Sequence, residues 1–118
     1  MAALGELEME IMGVLWSEAG WTTPGEMRAK LSRPLAYTTV MTVMSRLHRK
    51  GLLRRQRDGR AYAYAPVMTR EEWLATRMRS MLARSPDRST VLARFVERLE
   101  PDQVVQLRRM IRGVGDAP

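Results

Sequence analysis

The residues between positions 38 and 50 have the side chains of a surface that binds nucleic acid. Short hydroxyl groups come first along this segment, and long cations follow. The polar residues of this face and its flank are Thr38, Thr39, Thr42, Ser45, Arg46, Arg49 and Lys50. Hydroxyl groups early in such a segment reach base edges in the major groove, while arginine and lysine reach backbone phosphates. The segment is therefore a candidate for direct contact with DNA.

A helix must position these side chains, because apolar residues recur between them at helical spacing. The apolar residues at positions i, i+3, i+4 and i+7 are Val40, Val43, Met44 and Leu47. They form a stripe on the side opposite the polar face, which is the pattern of a half-buried helix. Gly51 is suited to end the helix in a left-handed conformation. We predict a helix over 38–50.

A β-hairpin is predicted directly after this helix. The runs LLRRQRD and RAYAYAP meet at Asp58-Gly59, a pair typical of tight hairpin turns. On the first strand we expect Leu53 to alternate with Arg54 and Arg57. On the second strand alanines alternate with tyrosines, which we expect to pack on the face of the hairpin. The basic residues around the tip are Arg54, Arg55, Arg57 and Arg60. Such a hairpin can act as a wing against the DNA backbone or the minor groove.

Further helices are predicted on both sides of this pair of elements. They cover roughly 4–18, about 24–32 and about 70–84, followed by two more that are separated by Pro101. Trp21-Thr22 is a candidate short extended segment, and Thr69-x-x-Glu72 is a capping box. Three helices and then a hairpin are the elements of a winged helix-turn-helix. The predicted fold is therefore mainly α with a small β-hairpin.

The distribution of charge agrees with a nucleic-acid partner. The net charge of the chain is +7, yet residues 1–27 alone carry −5 and residues 28–60 carry +9. A local concentration of positive charge favours binding to a polyanion, because each neutralised phosphate releases counterions.

The composition argues against several other classes of protein. There is no cysteine, which excludes disulfides, cysteine-ligated metals and a cysteine nucleophile. The single histidine, His48, leaves no Ser-His-Asp site that does not use it. We expect no enzymatic activity, no cofactor and no metal, and we expect His48 to be a polar or phosphate-contacting side chain. No stretch is apolar enough for membrane insertion, and the acidic start differs from a signal peptide. We expect a cytoplasmic protein.

Several motifs along the chain are typical of one family. They are LAYTTVMTVMSRL at 35–47, Arg49-Lys50-Gly51, RDGRAYAYAP at 57–66, LGELE at 4–8 and Val14-Leu15-Trp16, and the resemblance they indicate extends over nearly the whole chain. With these residues the chain resembles the penicillinase and methicillin-resistance repressors, the BlaI/MecI/CopY family. The resemblance implies a homodimeric repressor whose winged helix binds double-stranded DNA at an inverted-repeat operator with TACA-like half-sites. It places Thr38, Thr39 and Thr42 at bases, and Arg46, Lys50 and Arg60 at phosphate or wing contacts.

Two regions are expected, a winged-helix DNA-binding domain over 1–67 and a helical dimerisation region over 68–118. Three short amphipathic helices have too little core of their own, so two copies would bury their apolar faces against each other. Packing of these helices against their own domain is the alternative. The expected interface residues are Trp73, Leu74, Met78, Met81, Leu82, Phe95, Leu99, Leu107 and Ile111.

The resemblance also bears on how the repressor is released. In β-lactam systems of the family a membrane metalloprotease cuts the C-terminal region at an Asn-Phe pair, and the matching position here is Arg94-Phe95. The phenylalanine is retained and the asparagine is not. The cysteine cluster of the copper repressors is missing. Three alternatives stay open: a MarR- or PadR-like repressor released by a small ligand, a sequence-indifferent architectural DNA-binding protein, and a winged-helix module that binds other proteins.

Overall fold

The computed structural model describes residues 4–115, and the helices and strands in this range follow the predicted order. They are α1 (Glu6–Ser17), α2 (Pro24–Lys30), α3 (Tyr37–Arg49), β1 (Leu53–Asp58), β2 (Ala61–Pro66), α4 (Arg70–Ala83), α5 (Arg88–Glu97) and α6 (Pro101–Gly115). The prediction of a mainly α fold with a small hairpin is confirmed. None of the described helices combines the length and the hydropathy needed to span a bilayer.

The chain divides into two compact units, Met1–Thr76 and Arg77–Pro118. The division falls inside α4 and not at the predicted position after residue 67. The reason is Trp73, whose ring lies 5.5 Å from the ring of Trp16 and is buried in the first unit. The assignment of DNA binding to one region and dimerisation to the other stays a prediction.

The core of the first unit collects apolar side chains from α1, α2, α3, the start of α4 and the base of the hairpin. Its buried members are Ile11, Met12, Leu15, Met27, Val40, Val43, Met44, Leu47, Leu52, Leu53, Tyr64 and Trp73. The whole apolar stripe of α3 is among them, as its spacing requires. Thr22 exchanges two backbone hydrogen bonds with Tyr64, of 2.9 and 2.8 Å, which confirms the short extended segment.

The hairpin differs from the prediction in two details. Its loop consists of Gly59 and Arg60, one residue later than the predicted junction, and Gly59 has φ +65°, which glycine tolerates best. The alternation predicted for β1 is wrong at Arg57. Side chains two or four positions apart share a face of a strand, so Arg57 lies on the same side as Leu53. Leu53 is buried and Arg57 is exposed because the hairpin extends past the core.

Side-chain caps fix the starts of α2 and α4. The hydroxyl of Thr23 accepts from the Glu26 amide at 3.2 Å, while the Glu26 carboxylate accepts from the Thr23 amide at 3.0 Å. The predicted capping box at Thr69 and Glu72 has the same two bonds, each of 3.1 Å. Such caps satisfy amides that the first helical turn leaves without partners.

The second unit contains the end of α4, all of α5, and α6. No residue of α5 is buried, and the described residues of α6 are exposed or half-buried. The large exposed apolar residues of α5 and α6 are Val91, Leu92, Phe95, Val96, Val105, Met110, Ile111 and Val114. The predicted amphipathic helices therefore form, but their apolar faces stay uncovered.

Candidate nucleic-acid interface

The polar face of α3 points away from the core of the first unit. Burial of the apolar stripe turns the opposite side of the helix outward, and Thr38, Thr39 and Thr42 are exposed there. Among the described residues, their hydroxyl groups form no hydrogen bond within the chain. Arg46 and Arg49 extend the same face toward the end of the helix, and Ser45 is half-buried beside them. From Thr38 to Arg49 the face runs about 16 Å at 1.5 Å per residue, long enough to lie across a major groove.

The wing places further cations beside this helix. Arg57 and Arg60, two of the predicted DNA contacts, are exposed. Arg55 was not among the predicted contacts, yet its guanidinium carbon lies 4.0 Å from the centroid of the Tyr62 ring. Arg57 lies 5.4 Å from the same centroid. The signal that could have found Arg55 is the strand period, which puts Arg55, Arg57 and Tyr62 on one face.

A short, well-bonded connection holds the wing against α3. The Gly51 amide donates to the His48 carbonyl and the Leu52 amide to the Leu47 carbonyl, both at 3.0 Å, and Gly51 has φ +82°. The ring of His48 packs edge-on against Tyr64, with centroids 6.4 Å apart. The Nδ1 atom of His48 is buried, and the ring contact with Tyr64 places His48 against the hairpin. Helix and wing are thus positioned together.

Lys50 has a partner within the chain, which the sequence did not reveal. Its Nζ atom lies 2.8 and 3.0 Å from the carboxylate oxygens of Glu8, a buried residue of α1. Burial raises the pKa of Glu8, but hydrogen bonds from Lys50 and the Gly5 amide and the charge of Arg46 outweigh it, so the pKa is lowered. Of the predicted DNA contacts, Lys50 is therefore the one whose charge is already compensated.

The expected dimer-interface residues are mostly uncovered. Exposed members are Leu74, Met78, Met81, Phe95 and Ile111, and half-buried members are Leu82, Leu99 and Leu107. The structure does not support Trp73 as an interface residue. Only 6% of Trp73 is exposed because it packs in the core of the first unit, which leaves almost no surface for a partner chain to cover. The residues that the prediction omitted, such as Val91 and Leu92, share the helical spacing of Phe95.

The candidate cleavage position lies in regular helix. Arg94 and Phe95 are both exposed residues of α5, and Arg94 forms an ion pair with Glu97 at 3.0 Å. Within residues 4–115, no three histidine or carboxylate side chains converge into a group that could hold a metal ion.

Comparisons with known proteins identify a family of repressors to which the chain is similar. Residues 4–113 match the family model described as penicillinase repressor. The chain is 43% identical over 116 residues to the transcriptional regulator BlaI of Mycobacterium tuberculosis, which covers 94% of this chain and 84% of the relative. It is 27% identical over 103 residues to the penicillinase repressor of Bacillus licheniformis, covering 86% of this chain and 79% of that protein.

Solved structures show the same fold. A MarR family protein from Bacillus stearothermophilus is 22% identical, with a TM-score of 0.52 over 97% of this chain and 74% of the other. BpsR from Bordetella bronchiseptica, whose DNA binding is regulated by 6-hydroxynicotinic acid, is 17% identical, with a TM-score of 0.50 over 99% and 79% of the two chains. At these identities the similarity concerns the fold alone.

Proposed function

Because the chain belongs to the penicillinase repressor family and is a DNA-binding transcriptional repressor and not an enzyme, we propose that it acts as a homodimer on an inverted-repeat operator. The dimer would occupy the promoter and block transcription in the cytoplasm. Transcription would resume when the C-terminal region is cleaved or the dimer is loosened.

The observation that carries this proposal is the exposed polar face of α3 together with the basic wing that directly follows it. Thr38, Thr39 and Thr42 supply hydroxyl groups for base edges, and Arg46 and Arg49 supply cations for phosphates. The connection between helix and hairpin holds the two in one orientation, so a single docking geometry engages both. That geometry supports sequence-specific binding more than binding to any polyanion.

The uncovered helices of the second unit support the dimer. Phe95 is 47% exposed, and Ile111 is 61% exposed, on helices that have no buried residue among those described. A second copy is a natural cover because a two-fold axis brings the same apolar face from each chain into contact. The same axis would present two α3 helices about one DNA turn apart, or a multiple of it, which suits an inverted repeat.

Release by proteolysis would begin with local opening of α5. A membrane metalloprotease sensor would need the backbone at Arg94-Phe95 in an extended conformation, and this bond now lies in helix. Within its own chain α5 has no buried residue, so it should open at low free-energy cost once the partner chain no longer covers it. Loosening of the dimer and cleavage of α5 would therefore act on the same helices.

Release by a small ligand is a second candidate, favoured by one groove in the first unit. The groove has a volume of about 490 Å³ and is lined by Trp16, Trp21, Arg54, Met68 and Arg70, among others. This volume falls within the range of small-molecule sites, roughly 300–1,000 Å³. Small aromatic compounds that raise the melting temperature and weaken operator binding would favour this candidate over proteolysis.

The test is fluorescence-anisotropy binding to a TACA/TGTA inverted-repeat duplex and to a scrambled duplex of equal length, each over a salt series. We expect the repeat to be preferred by about 10³-fold or more. Thr42→Ala should narrow this preference by about tenfold or more, because each lost base contact costs about 1–3 kcal/mol. Arg46→Ala should weaken both complexes similarly and flatten the salt dependence.

Arg84→Ala is the matched control for Arg46→Ala, because Arg84 is an exposed arginine of the second unit. It should change neither the preference nor the salt slope appreciably. Equal affinity for both duplexes, followed by a failed selection from random DNA, would replace the repressor proposal with the architectural alternative. Absence of binding to any DNA would favour the protein-binding module.

A further inference from the structure

The face of the wing that continues outward from the buried residues Leu53 and Tyr64 carries two arginines that share one aromatic ring. Tyr62 on β2 lies directly opposite Arg57 on β1, and Arg55 is the diagonal neighbour on the same face. The guanidinium carbons lie 4.0 Å (Arg55) and 5.4 Å (Arg57) from the ring centroid, both within the range of cation–π contact. Tyr62 itself is half-buried. One ring thus contacts both guanidinium groups.

This face is continuous with the helix that carries the proposed base contacts. The Tyr62 ring lies 6.5 Å from the ring of Tyr64, and Tyr64 in turn lies 6.4 Å from the ring of His48 on α3. Tyr64 is buried in the core, so the aromatic chain has a fixed base. The stacked arginines therefore extend from the α3 side of the hairpin toward its tip.

Stacking prepares an arginine for phosphate binding. A free arginine on an exposed strand samples many rotamers, and binding must restrict them. A guanidinium that lies on a ring has lost part of that freedom already, and its edge still presents N–H donors in a planar fork. Two such groups on one ring make a preorganised site for the DNA backbone.

We propose that Tyr62 is a positioning residue of the wing, which holds Arg55 and Arg57 as a paired contact for the DNA backbone beside the groove that α3 enters. The inference rests on the proposed operator binding and adds Arg55 and Tyr62 to its machinery. Tyr62 acts through the two guanidinium groups and touches no base.

The other face of the same strand supplies a matched control. Arg54 precedes Arg55 in the chain, so its side chain points to the opposite side of the hairpin. There its guanidinium carbon lies 5.0 Å from the centroid of the Trp21 ring. Both residues line the candidate small-ligand groove of the first unit. Arg54→Ala and Arg55→Ala remove the same charge and the same kind of stacking from opposite faces.

The experiment measures affinity and salt slope of the full chain on its selected operator. Arg55→Ala should weaken binding about fivefold to thirtyfold, with the log–log salt slope reduced by about 0.9 per protomer, while Arg54→Ala should stay within about threefold. Tyr62→Leu should weaken binding about fivefold to twentyfold, because two side chains per wing lose their order. Its salt slope should stay near that of the parent because no charge is lost. Tyr62→Phe keeps the ring and should bind within about twofold of the parent.

A double-mutant cycle separates positioning from a general effect on folding. In the Arg55→Ala/Arg57→Ala background, Tyr62→Leu should weaken binding by less than about twofold, because its partners are gone. An equal loss in both backgrounds would show that the ring acts through the fold, and equal losses for Arg54→Ala and Arg55→Ala would show that only total charge matters. Either result overturns the inference. If the parent itself shows no operator preference, the proposed function fails, whereas a specific parent with silent Tyr62 and Arg55 variants refutes this inference alone.

Discussion

In α3 every residue of the apolar stripe is buried, whereas in α5 no residue is buried and Phe95 is 47% exposed. Both helices separate apolar from polar side chains along the sequence. The difference is that α1, α2 and the hairpin surround α3 within one unit, while the second unit has too few elements to cover its own apolar faces. Amphipathic spacing therefore predicts that a face will be covered, but it does not predict whether the cover belongs to the same chain.

The largest expected effect comes from making the uncovered faces polar. Phe95→Asp with Leu107→Asp should convert the proposed dimer into a monomer, because four buried carboxylates would lie in one interface. Operator affinity should fall by about 10³-fold or more, equivalent to about 4 kcal/mol, since each monomer binds only a half-site. Sedimentation and anisotropy would measure the two changes on the same samples.

A charge-matched control separates dimer loss from repulsion by DNA. Ser89→Asp with Gln106→Asp adds the same two carboxylates at exposed polar positions of α5 and α6. This variant should remain dimeric and lose much less affinity. If the Phe95/Leu107 variant also remains dimeric, these faces do not form the interface.

The next prediction compares how much unfolding free energy is lost when one leucine of each unit is replaced by alanine. Leu47→Ala removes a fully buried side chain of α3 and should lower the free energy of unfolding by about 2–5 kcal/mol, in the dimer and in the monomeric variant alike. Leu92→Ala in α5 should cost less than about 0.5 kcal/mol in the monomeric variant, where Leu92 is exposed. In the parent chain the same change should cost more because a partner covers it. Urea unfolding followed by circular dichroism would give all four values, and equal costs of Leu92→Ala in both backgrounds would contradict the comparison.

The sequence predicted most of the first unit because its signals are local. The α3 stripe, the Gly51 stop and the capping box at Thr69 each depend on residues within a few positions of one another. The parts that were wrong or missing depend on contacts between distant segments. The spacing of Trp73 is typical of an interface residue, but in the fold Trp73 packs against Trp16 of α1. The position of Lys50 is typical of a phosphate contact, but in the fold Lys50 pairs with Glu8. Spacing within one helix contains no information about such partners.

The smallest expected change in stability comes from breaking the ion pair between Glu8 of α1 and Lys50 at the end of α3. Glu8→Gln keeps the size of the side chain but removes the charge that Lys50 binds at 2.8 Å, and we expect a loss of about 1–3 kcal/mol of unfolding free energy at neutral pH. Glu97→Gln, which breaks the exposed pair with Arg94, should cost less than about 0.5 kcal/mol.

The stability difference between the parent chain and Glu8→Gln should depend on pH. The pKa of Glu8 lies below its ordinary value of 4.5, because the contacts from Lys50, the Gly5 amide and Arg46 together outweigh the burial that raises it. A carboxylate with a lowered pKa stabilises the folded state fully above the pKa of the unfolded chain, and loses that contribution as the pH falls through the folded value. The stability difference between the parent and Glu8→Gln should therefore be constant near neutral pH and shrink below about pH 4.5. A difference that grew on acidification would mean that Glu8 is held in its protonated form, and that Lys50 is free to bind DNA after all.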